Sequence, residues 1–386
     1  MPAATASAAS STALRVREVP RGESLRPFID FAWKANGGDP HWVPPLRVAL
    51  EPALDRARHP FHQHAEVAYF VAERGAETVG RIAAIVNHRH NEFHEDRVGF
   101  FGLFEAVDDP RVARALADAA AGWLRARGMD TMRGPVNLST NEEISSPGVL
   151  VEGFDTPPTV AMSHNPPFYG ALLEGAGLEK AKDLFAYWID SPIPPERLVR
   201  GVERMTRREG VTLRSMNMRR LPEEVAIIQE IYNSAWARNW GFVPMTPEEF
   251  AYMAKDLKSV VDPDLCIIAE KEGVPVGFAI SLPNLNEAIR HVPDGKLFPF
   301  GFLKFLWHKR KIASARIMTL GLRPEFQKSS GIGAAMYLRT FQVAGEHGYM
   351  QGEASWILED NFLMRQALEK VGFEPYKRYR VYERVL

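Results

Sequence analysis

At 386 residues the chain exceeds what one hydrophobic core usually supports, so two domains are expected. Its 46% hydrophobic and 25% charged content is that of an ordinary globular protein, and a formal net charge of −1 excludes a strongly basic nucleic-acid binder. The single cysteine, Cys266, excludes an intrachain disulfide and a cysteine-rich zinc site, and it suits a reducing cytosol.

Residues 1–13 are rich in Ala, Ser and Thr and lack the basic and apolar regions of a signal peptide, which predicts a disordered tail. No apolar run is long enough to span a bilayer. Residues 15–20 read as a first strand and 25–33 as a helix, while the prolines of 40–60 predict irregular chain. Two strands, 67–73 and 78–86, flank a hairpin turn around Gly75. A strand at 98–105 precedes a helix over 110–127, with Asp108 and Asp109 placed to cap it and Gly128 to end it. A strand over 131–136 leads into a long polar loop, 137–167. A helix at 168–176 and a strand at 181–190 complete the first half.

After 191–210, read as a linker, a similar order begins again. Helices are expected at 221–235 and 247–257, strands at 265–270, 275–282 and 315–322, and a helix at 332–346. A strand at 351–358, a helix at 362–370 and a strand at 377–384 end the series. The repetition extends to residues: Leu173-Glu174-Gly175-Ala176-Gly177-Leu178-Glu179 aligns with Leu368-Glu369-Lys370-Val371-Gly372-Phe373-Glu374. Without a gap Lys182 then falls on Lys377 and Tyr187 on Tyr382, which points to a duplicated unit. The expected division is 14–190 and 211–386.

The strand–turn–helix of 316–337 holds Pro324, Gln327, Lys328, Ser329, Ser330, Gly331 and Gly333. A helix starting there presents unpaired N–H groups and a positive dipole end, and glycines allow close backbone approach, which suits a pyrophosphate. The segment resembles the acyl-CoA-binding motif of the GNAT superfamily of N-acetyltransferases, a strand followed by Pro-x-x-Gln/Arg-x-x-Gly-x-Gly/Ala and a helix. Pro324, Gln327, Gly331 and Gly333 match it with one extra residue, so either Gln327 or Lys328 takes the usual place. A second block also matches: the strand 354–358, Asn361 opening a helix, and Gly372-Phe373. The resemblance implies an α/β (α+β) fold of two tandem GNAT-like units, each a mixed, mostly antiparallel twisted sheet flanked by helices. It implies acyl-CoA as co-substrate, held by Leu320, Leu322, Gln327, Lys328, Ser330, Gly331, Ile332, Gly333, Ala334 and Asn361, with no metal. The first half has Asp108 and Asp109 in place of a glycine loop, so it is expected to keep the fold without a CoA site.

In such an enzyme an amine attacks the thioester directly, with a base for its proton and donors for the oxyanion. Backbone N–H groups near 320–322 are the expected donors. The family's usual tyrosine acid falls on Leu368, which departs from the pattern. Candidate bases are Glu353, which strand alternation groups with Ser355 and Ile357, and His164, Glu142 and Glu143 in the polar loop. Tyr382 is either a replacement acid or a core tyrosine.

Trp236, Trp240 and Phe242 offer an aromatic wall for an apolar acceptor, and Asn137 and Asn141 face a substrate from the loop. The stretch 297–311, with Phe302 and Phe305 ahead of His308, Lys309, Arg310 and Lys311, reads either as a lipid-contacting element or as a packed amphipathic helix. Asn239-Trp240-Gly241-Phe242-Val243-Pro244, Leu297-Phe298-Pro299-Phe300-Gly301 and 353–361 resemble a bacterial group of two-domain acetyltransferase-like proteins, to which the bacterial ceramide synthases are attached. That resemblance implies long-chain N-acylation of a sphingoid base, in the cytoplasm or at the inner face of the cytoplasmic membrane. A small-molecule N-acetyltransferase and a non-catalytic acyl-CoA-binding protein are the alternatives.

Overall fold

The structure is a computed structural model; it describes residues 13–386 except 142, 143, 145, 192, 195, 259, 328 and 329. In chain order the first half comprises β1 (Leu14–Glu18), α1 (Arg26–Asn36), α2 (Arg47–Ala53), β2 (Ala65–Arg74), β3 (Glu77–Asn87), α3 (His88–His94), β4 (Val98–Ala106), α4 (Pro110–Arg125), β5 (Thr131–Gly134), β6 (Val149–Glu152), α5 (Tyr169–Gly175) and β7 (Glu179–Asp190). There follow α6 (Glu196–Glu209), β8 (Val211–Ser215), α7 (Leu221–Ala235), α8 (Pro247–Leu257), β9 (Cys266–Lys271) and β10 (Val274–Pro283). The chain continues through α9 (Asn286–Ile289), α10 (Gly301–Lys309), β11 (Ser314–Leu322), α11 (Ser330–Glu346), β12 (Gln351–Leu358), α12 (Phe362–Lys370) and β13 (Glu374–Val385).

Local chemistry accounts for several of these elements. Asp109 caps α4 by accepting from the Arg111 N–H, with Pro110 fixing the first turn. The helix buries Val112, Ala113, Leu116, Ala117, Ala120, Ala121 and Leu124, one stripe at helical spacing. Thr246 and Glu249 form a reciprocal capping box on α8.

All the strands join one mostly antiparallel sheet in the order β1-β2-β3-β4-β5-β13-β7-β12-β11-β10-β9-β8, with β6 added to β13. The β4–β5 and β11–β12 pairs are parallel. The final strands are exchanged between the halves. β7 lies against β12 of the second half, and β13 runs antiparallel to β5 of the first. β7 and β13, which carry the matching Lys182/Tyr187 and Lys377/Tyr382 segments, are themselves antiparallel neighbours. The halves therefore share a continuous ladder of backbone hydrogen bonds.

Alternate residues of a strand face opposite layers. Ile82, Ala84 and Val86 meet α4, whereas Ala83 and Ile85 face a cluster holding Phe28, Leu50 and Tyr69. In the second half Ala279 packs with Ile332 and Met336 of α11, and Phe278 with Ile228, Ile231 and Phe250 of α7 and α8.

Four expectations change. The proline-rich stretch 40–60 holds α2, whose Leu50 and Ala53 are buried. The linker is largely α6, which packs Val202 against Ala335 and Leu338 of α11. The polar loop contains β6, whose Leu150 is fully buried. The strand over 131–136 stops at Gly134, ahead of a cis peptide to Pro135.

The first half closes its own fork. β4 and β5 pair only from Val98–Thr131 to Phe100–Arg133. Beyond that point the Val136 N–H donates to the Phe101 carbonyl at 2.7 Å, and the Leu103 N–H donates to Asn137 Oδ1 at 2.8 Å. The segment after β5 therefore stays laid on β4. A Cβ on Gly102 would drive into the Val136 carbonyl oxygen, so the close approach requires glycine there. Gly102→Ala is expected to cost about 3 kcal/mol of stability through this overpacking, measured by urea unfolding.

Candidate active site

β11 and β12 pair over four residues each, from Ser314–Gln351 to Ile317–Ala354, and then part. β11 continues along β10 to Leu322, and β12 rejoins β7 at Ile357 and Leu358. Between Ala354 and Ile357 the register slips, and Trp356 sits at φ 59°. A tryptophan in the left-handed region costs about 1–3 kcal/mol and persists only where its surroundings hold it there. The bulge puts Trp356 beside the cluster of Leu150, Met162, Leu184 and Tyr379, and sends Ile357 to the opposite face beside Phe341 and Phe373. Glu353, Ser355 and Ile357 therefore do not share one face, as simple alternation predicted.

A buried ion pair sits where the strands separate. Arg316 and Glu353 are directly opposite one another, and both are 0% exposed. The Arg316 Nε–H donates to Ser355 Oγ at 2.7 Å and lies 3.4 Å from Glu353 Oε1, while Nη1 donates to the Val160 carbonyl at 2.7 Å. Glu353 also accepts from Thr159 Oγ1 at 2.7 Å and from the Tyr376 hydroxyl. Burial pulls the Arg316 pKa down, against the attraction of Glu353. Lys377 holds the same loop by donating to the Gly153 and Thr156 carbonyls, and burial lowers its pKa to about 8.

Above this base lies a cavity of about 750 Å³ lined from both halves of the chain. Trp42, Leu46, Leu50 and Leu103 contribute from the first half, and Trp236, Phe278 and the 317–320 stretch of β11 from the second. The cavity also reaches Tyr337 of α11 and Met364 of α12, whose helices pack on the other face of the sheet. The parted strands give it that access. The Tyr337 hydroxyl donates to Met364 Sδ at 3.3 Å, and burial pushes its pKa up to about 12.

His164 lines this cavity with its side chain 1% exposed. Its Nε2 lies 2.9 Å from Asp39 Oδ2, and its Nδ1 has no hydrogen-bond partner among the described residues. A carboxylate on Nε2 favours the tautomer protonated there and leaves Nδ1 as an acceptor. Burial holds the His164 pKa below its ordinary value, with Asp39 pulling upward. Burial works against the Asp39 carboxylate as well, but the His41 N–H and His164 keep its pKa low.

The other expected catalytic residues separate. Glu353 is sealed in the network with Arg316 and does not line the cavity, so it lacks the access a base needs. Tyr382 is a core residue beside Tyr169 and Leu172; it bonds Glu174 at 3.1 Å, and burial together with Glu174 raises its pKa to about 12. Leu368 is core as well. Glu142 and Glu143 lie outside the described residues.

Of the expected acyl-CoA ligands, Leu320 and Asn361 line the cavity, and Asn361 Oδ1 caps α12 by accepting from the Met364 N–H. Gln327 Nε2 donates to the Ala235 and Leu322 carbonyls, so it ties the turn to α7 and β11. Leu322 and Ile332 are core, and Ala334 packs near Val202 of α6. A Cβ on Gly331 would meet the Met205 side chain of α6 at 2.8 Å, whereas Gly333 has only Leu322 Cδ1 near, at 3.9 Å. The Met205 side chain thus occupies the space that a side chain at 331 would enter. Ser330 opens α11, and Lys328 lies outside the described residues.

The aromatic wall is present: Trp236, Trp240 and Phe242 all line the cavity. Gly321 has no room for a Cβ because the Trp236 ring lies against it. Trp240 stands between Arg133 and Lys182, 5.2 and 5.8 Å from its ring. Asn141 joins the halves, accepting from the Tyr232 hydroxyl at 2.8 Å and donating to the Val243 carbonyl at 2.9 Å. Asn137 lines the cavity too, but its amide is spent on Leu103 and Ile144 backbone. Phe302 does not reach the cavity; it is 43% exposed on α10. The sequence reading missed Arg316, Asp39 and Trp356. A lone arginine in an apolar strand was a signal for the first, and no local pattern marked the other two.

No protein-family model matches the chain. Protein YghO of Escherichia coli (strain K12) is 40% identical over 380 residues, 96% of this chain and 95% of its own. The bacterial ceramide synthase of Caulobacter vibrioides (strain NA1000 / CB15N) is 42% identical over 384 residues, 97% of this chain and 98% of its own. The chain belongs to the family of these two proteins. Among solved structures, a tandem GNAT protein from the clavulanic acid biosynthesis pathway has a TM-score of 0.56 at 14% identity, covering 97% of this chain and 98% of that one. A GCN5-related N-acetyltransferase from Sphaerobacter thermophilus has a TM-score of 0.51 at 14% identity, covering 96% of this chain and 95% of its own. The fold is the tandem GNAT fold, and with this family membership the chain is an N-acyltransferase.

The buried pair carries its own test. Glu353→Gln leaves the Arg316 charge uncompensated and is expected to cost about 3 kcal/mol, read from chemical denaturation. Unchanged stability with lost turnover would instead restore Glu353 as a base.

Proposed function

We propose that the chain transfers a long acyl group from acyl-CoA to the amine of a sphingoid base, making a ceramide-type amide. The observation that carries this reading is the largely apolar cavity that spans both halves and runs into the gap between β11 and β12. The relationship to a bacterial ceramide synthase supports the choice of substrates. The units 14–190 and 211–386 divide the work in this proposal. The second supplies the gap, the N-terminus of α11 for acyl-CoA and the aromatic wall of Trp236, Trp240 and Phe242, and the first supplies the remaining apolar wall and the base.

In this mechanism the pyrophosphate lies at the α11 N-terminus near Gly333, where N–H groups and the helix dipole favour an anion. The pantetheine arm follows the gap past Tyr337 and Asn361. His164 Nδ1 takes a proton from the amine as its nitrogen bonds to the acyl carbon. The C–S bond then breaks, and the CoA thiolate leaves with the proton returned from the imidazolium. Asp39 orients His164 and stabilises its charged form.

The reading extends to a membrane surface at the inner face of the cytoplasmic membrane. Among the described residues no helix is long and apolar enough to cross a membrane. α10 and the residues before it expose Phe298 by 80%, Phe300 by 69%, Leu303 by 64% and Trp307 by 60%, and no residue of α10 is buried. Lys304 and Lys309 lie on α10 and Arg310 and Lys311 follow it directly, a basic content that suits anionic headgroups. α10 rests on α9, whose Asn286 and Ile289 line the cavity, so the patch adjoins its rim.

CoA release from purified protein tests the reaction. Release with palmitoyl-CoA only when a sphingoid base is present is the expected result. Release with acetyl-CoA and a soluble amine would return a small-molecule acetyltransferase, and silence with every pair a binding protein. His164→Ala should lower kcat by about 100-fold or more. Because the His164 pKa is depressed, the wild-type rate should hold at pH 7 and fall only below about pH 6.5. Asp39→Asn removes an upward pull on that pKa, so it should move the acid limb to still lower pH while reducing the rate.

Replacing Phe302 and Trp307 by Ser should abolish co-flotation with phosphatidylglycerol vesicles and leave the melting temperature unchanged. A variant that still floats would make the patch a packing element.

A further inference from the structure

Buried polar atoms normally have partners, so each exception asks for an explanation. Among the described residues, two side-chain donors that line the cavity at the fork have none: Thr319 Oγ1 on β11 and Trp356 Nε1 on β12. Their positions correspond. Ile317 and Ala354 are the last paired residues of the two strands, and each donor lies two residues beyond its strand's last pair. One therefore stands on either side of the opening. The left-handed backbone of Trp356 belongs to the bulge that places its ring on the cavity face. The ring also lies 5.0 Å from the Arg316 guanidinium, which fixes it from behind.

We propose that the Trp356 indole N–H and the Thr319 hydroxyl donate hydrogen bonds to the acyl carbonyl oxygen, as side-chain members of the oxyanion site. This assignment rests on the N-acyltransferase reading above. Amine attack moves the carbonyl π electrons onto that oxygen, and donors fixed in a dry site stabilise the charge where it develops. When the C–S bond breaks, those electrons return to the carbonyl, so neither donor gives up its proton. His164, whose Nδ1 is also unpartnered and lines the same cavity, supplies the acceptor for the amine proton. These two donors at the fork and this acceptor are the kinds of group that aminolysis of a thioester requires.

Trp356→Phe keeps an aromatic ring at this position but removes the N–H together with part of the indole; Thr319→Val is nearly isosteric and replaces only the hydroxyl, so it is the cleaner of the two. The assay is CoA release with palmitoyl-CoA and a sphingoid base, with kcat, KM and the pH profile measured for each variant. Trp356→Phe should lower kcat about 100-fold, with KM for acyl-CoA and the acid limb unchanged, and Thr319→Val should leave the melting temperature unchanged as well. Thr319→Val should act in the same direction, and the double variant should lose less than the product of the single losses. If the wild-type protein turns over and both variants match its kcat, the donor assignment is overturned while the reaction stands. If the wild-type protein releases no CoA with any amine, the functional reading falls, and this assignment with it.

Discussion

The second half depends on one contact, the buried Arg316–Glu353 pair. It lies where two parallel strands stop being a sheet and begin to be the walls of a gap. Parallel strands would ordinarily keep pairing until one of them ends. Here the pair, together with Ser355, Thr159 and Val160, clamps the last paired residues and fastens the 156–165 loop across them. Past that clamp, the β12 bulge turns the strand away. A fully buried ion pair is weak evidence for net stability, since desolvation offsets much of the attraction. Its value here is geometric, because it fixes where the opening starts.

Comparison of the two forks shows what the clamp achieves. In the first half the chain after β5 bonds back onto β4 through Val136 and Asn137, so no opening forms. The same architecture thus yields one filled fork and one open fork. The filled half is not idle, for it provides Asp39 and His164 and part of the cavity wall. Exchange of β7 and β13 keeps the two halves in fixed register, so His164 from one half stays in the same cavity as the gap from the other.

Much of the fold was legible because it rests on local chemistry. The hairpin around Gly75, the Asp109 cap with Gly128 beyond it, and the repeated helix–Gly–strand all declare themselves in short stretches of sequence. α6 was not legible, because its charged sequence buries only Val202 and its stability comes from packing on α11. Leu150 in β6 gave too short a signal within a polar loop. In the cavity lining, the aromatic residues and His164 were readable from residue type. The partner of His164 was not, since Asp39 lies far away in sequence and only the fold brings them together. The burial of Glu353 was not legible for a similar reason: alternation predicts which face a residue takes, but not that an arginine on the next strand will pair with it. The bulge at Trp356 had no glycine to announce it.

The strand exchange also sets an order of events during synthesis. β5 and β7 belong to the first half, but the strand that lies between them, β13, is made only after all of the second half has been translated. Until it arrives, both carry unpaired sheet edges, the kind of surface that recruits other chains. The native pairing of the first half is therefore incomplete until β13 is made, although the partners of its α4 layer and β1–β4 meander all precede it in the chain. Closure of the whole molecule waits on its most non-local pairing, which is the feature that slows folding most.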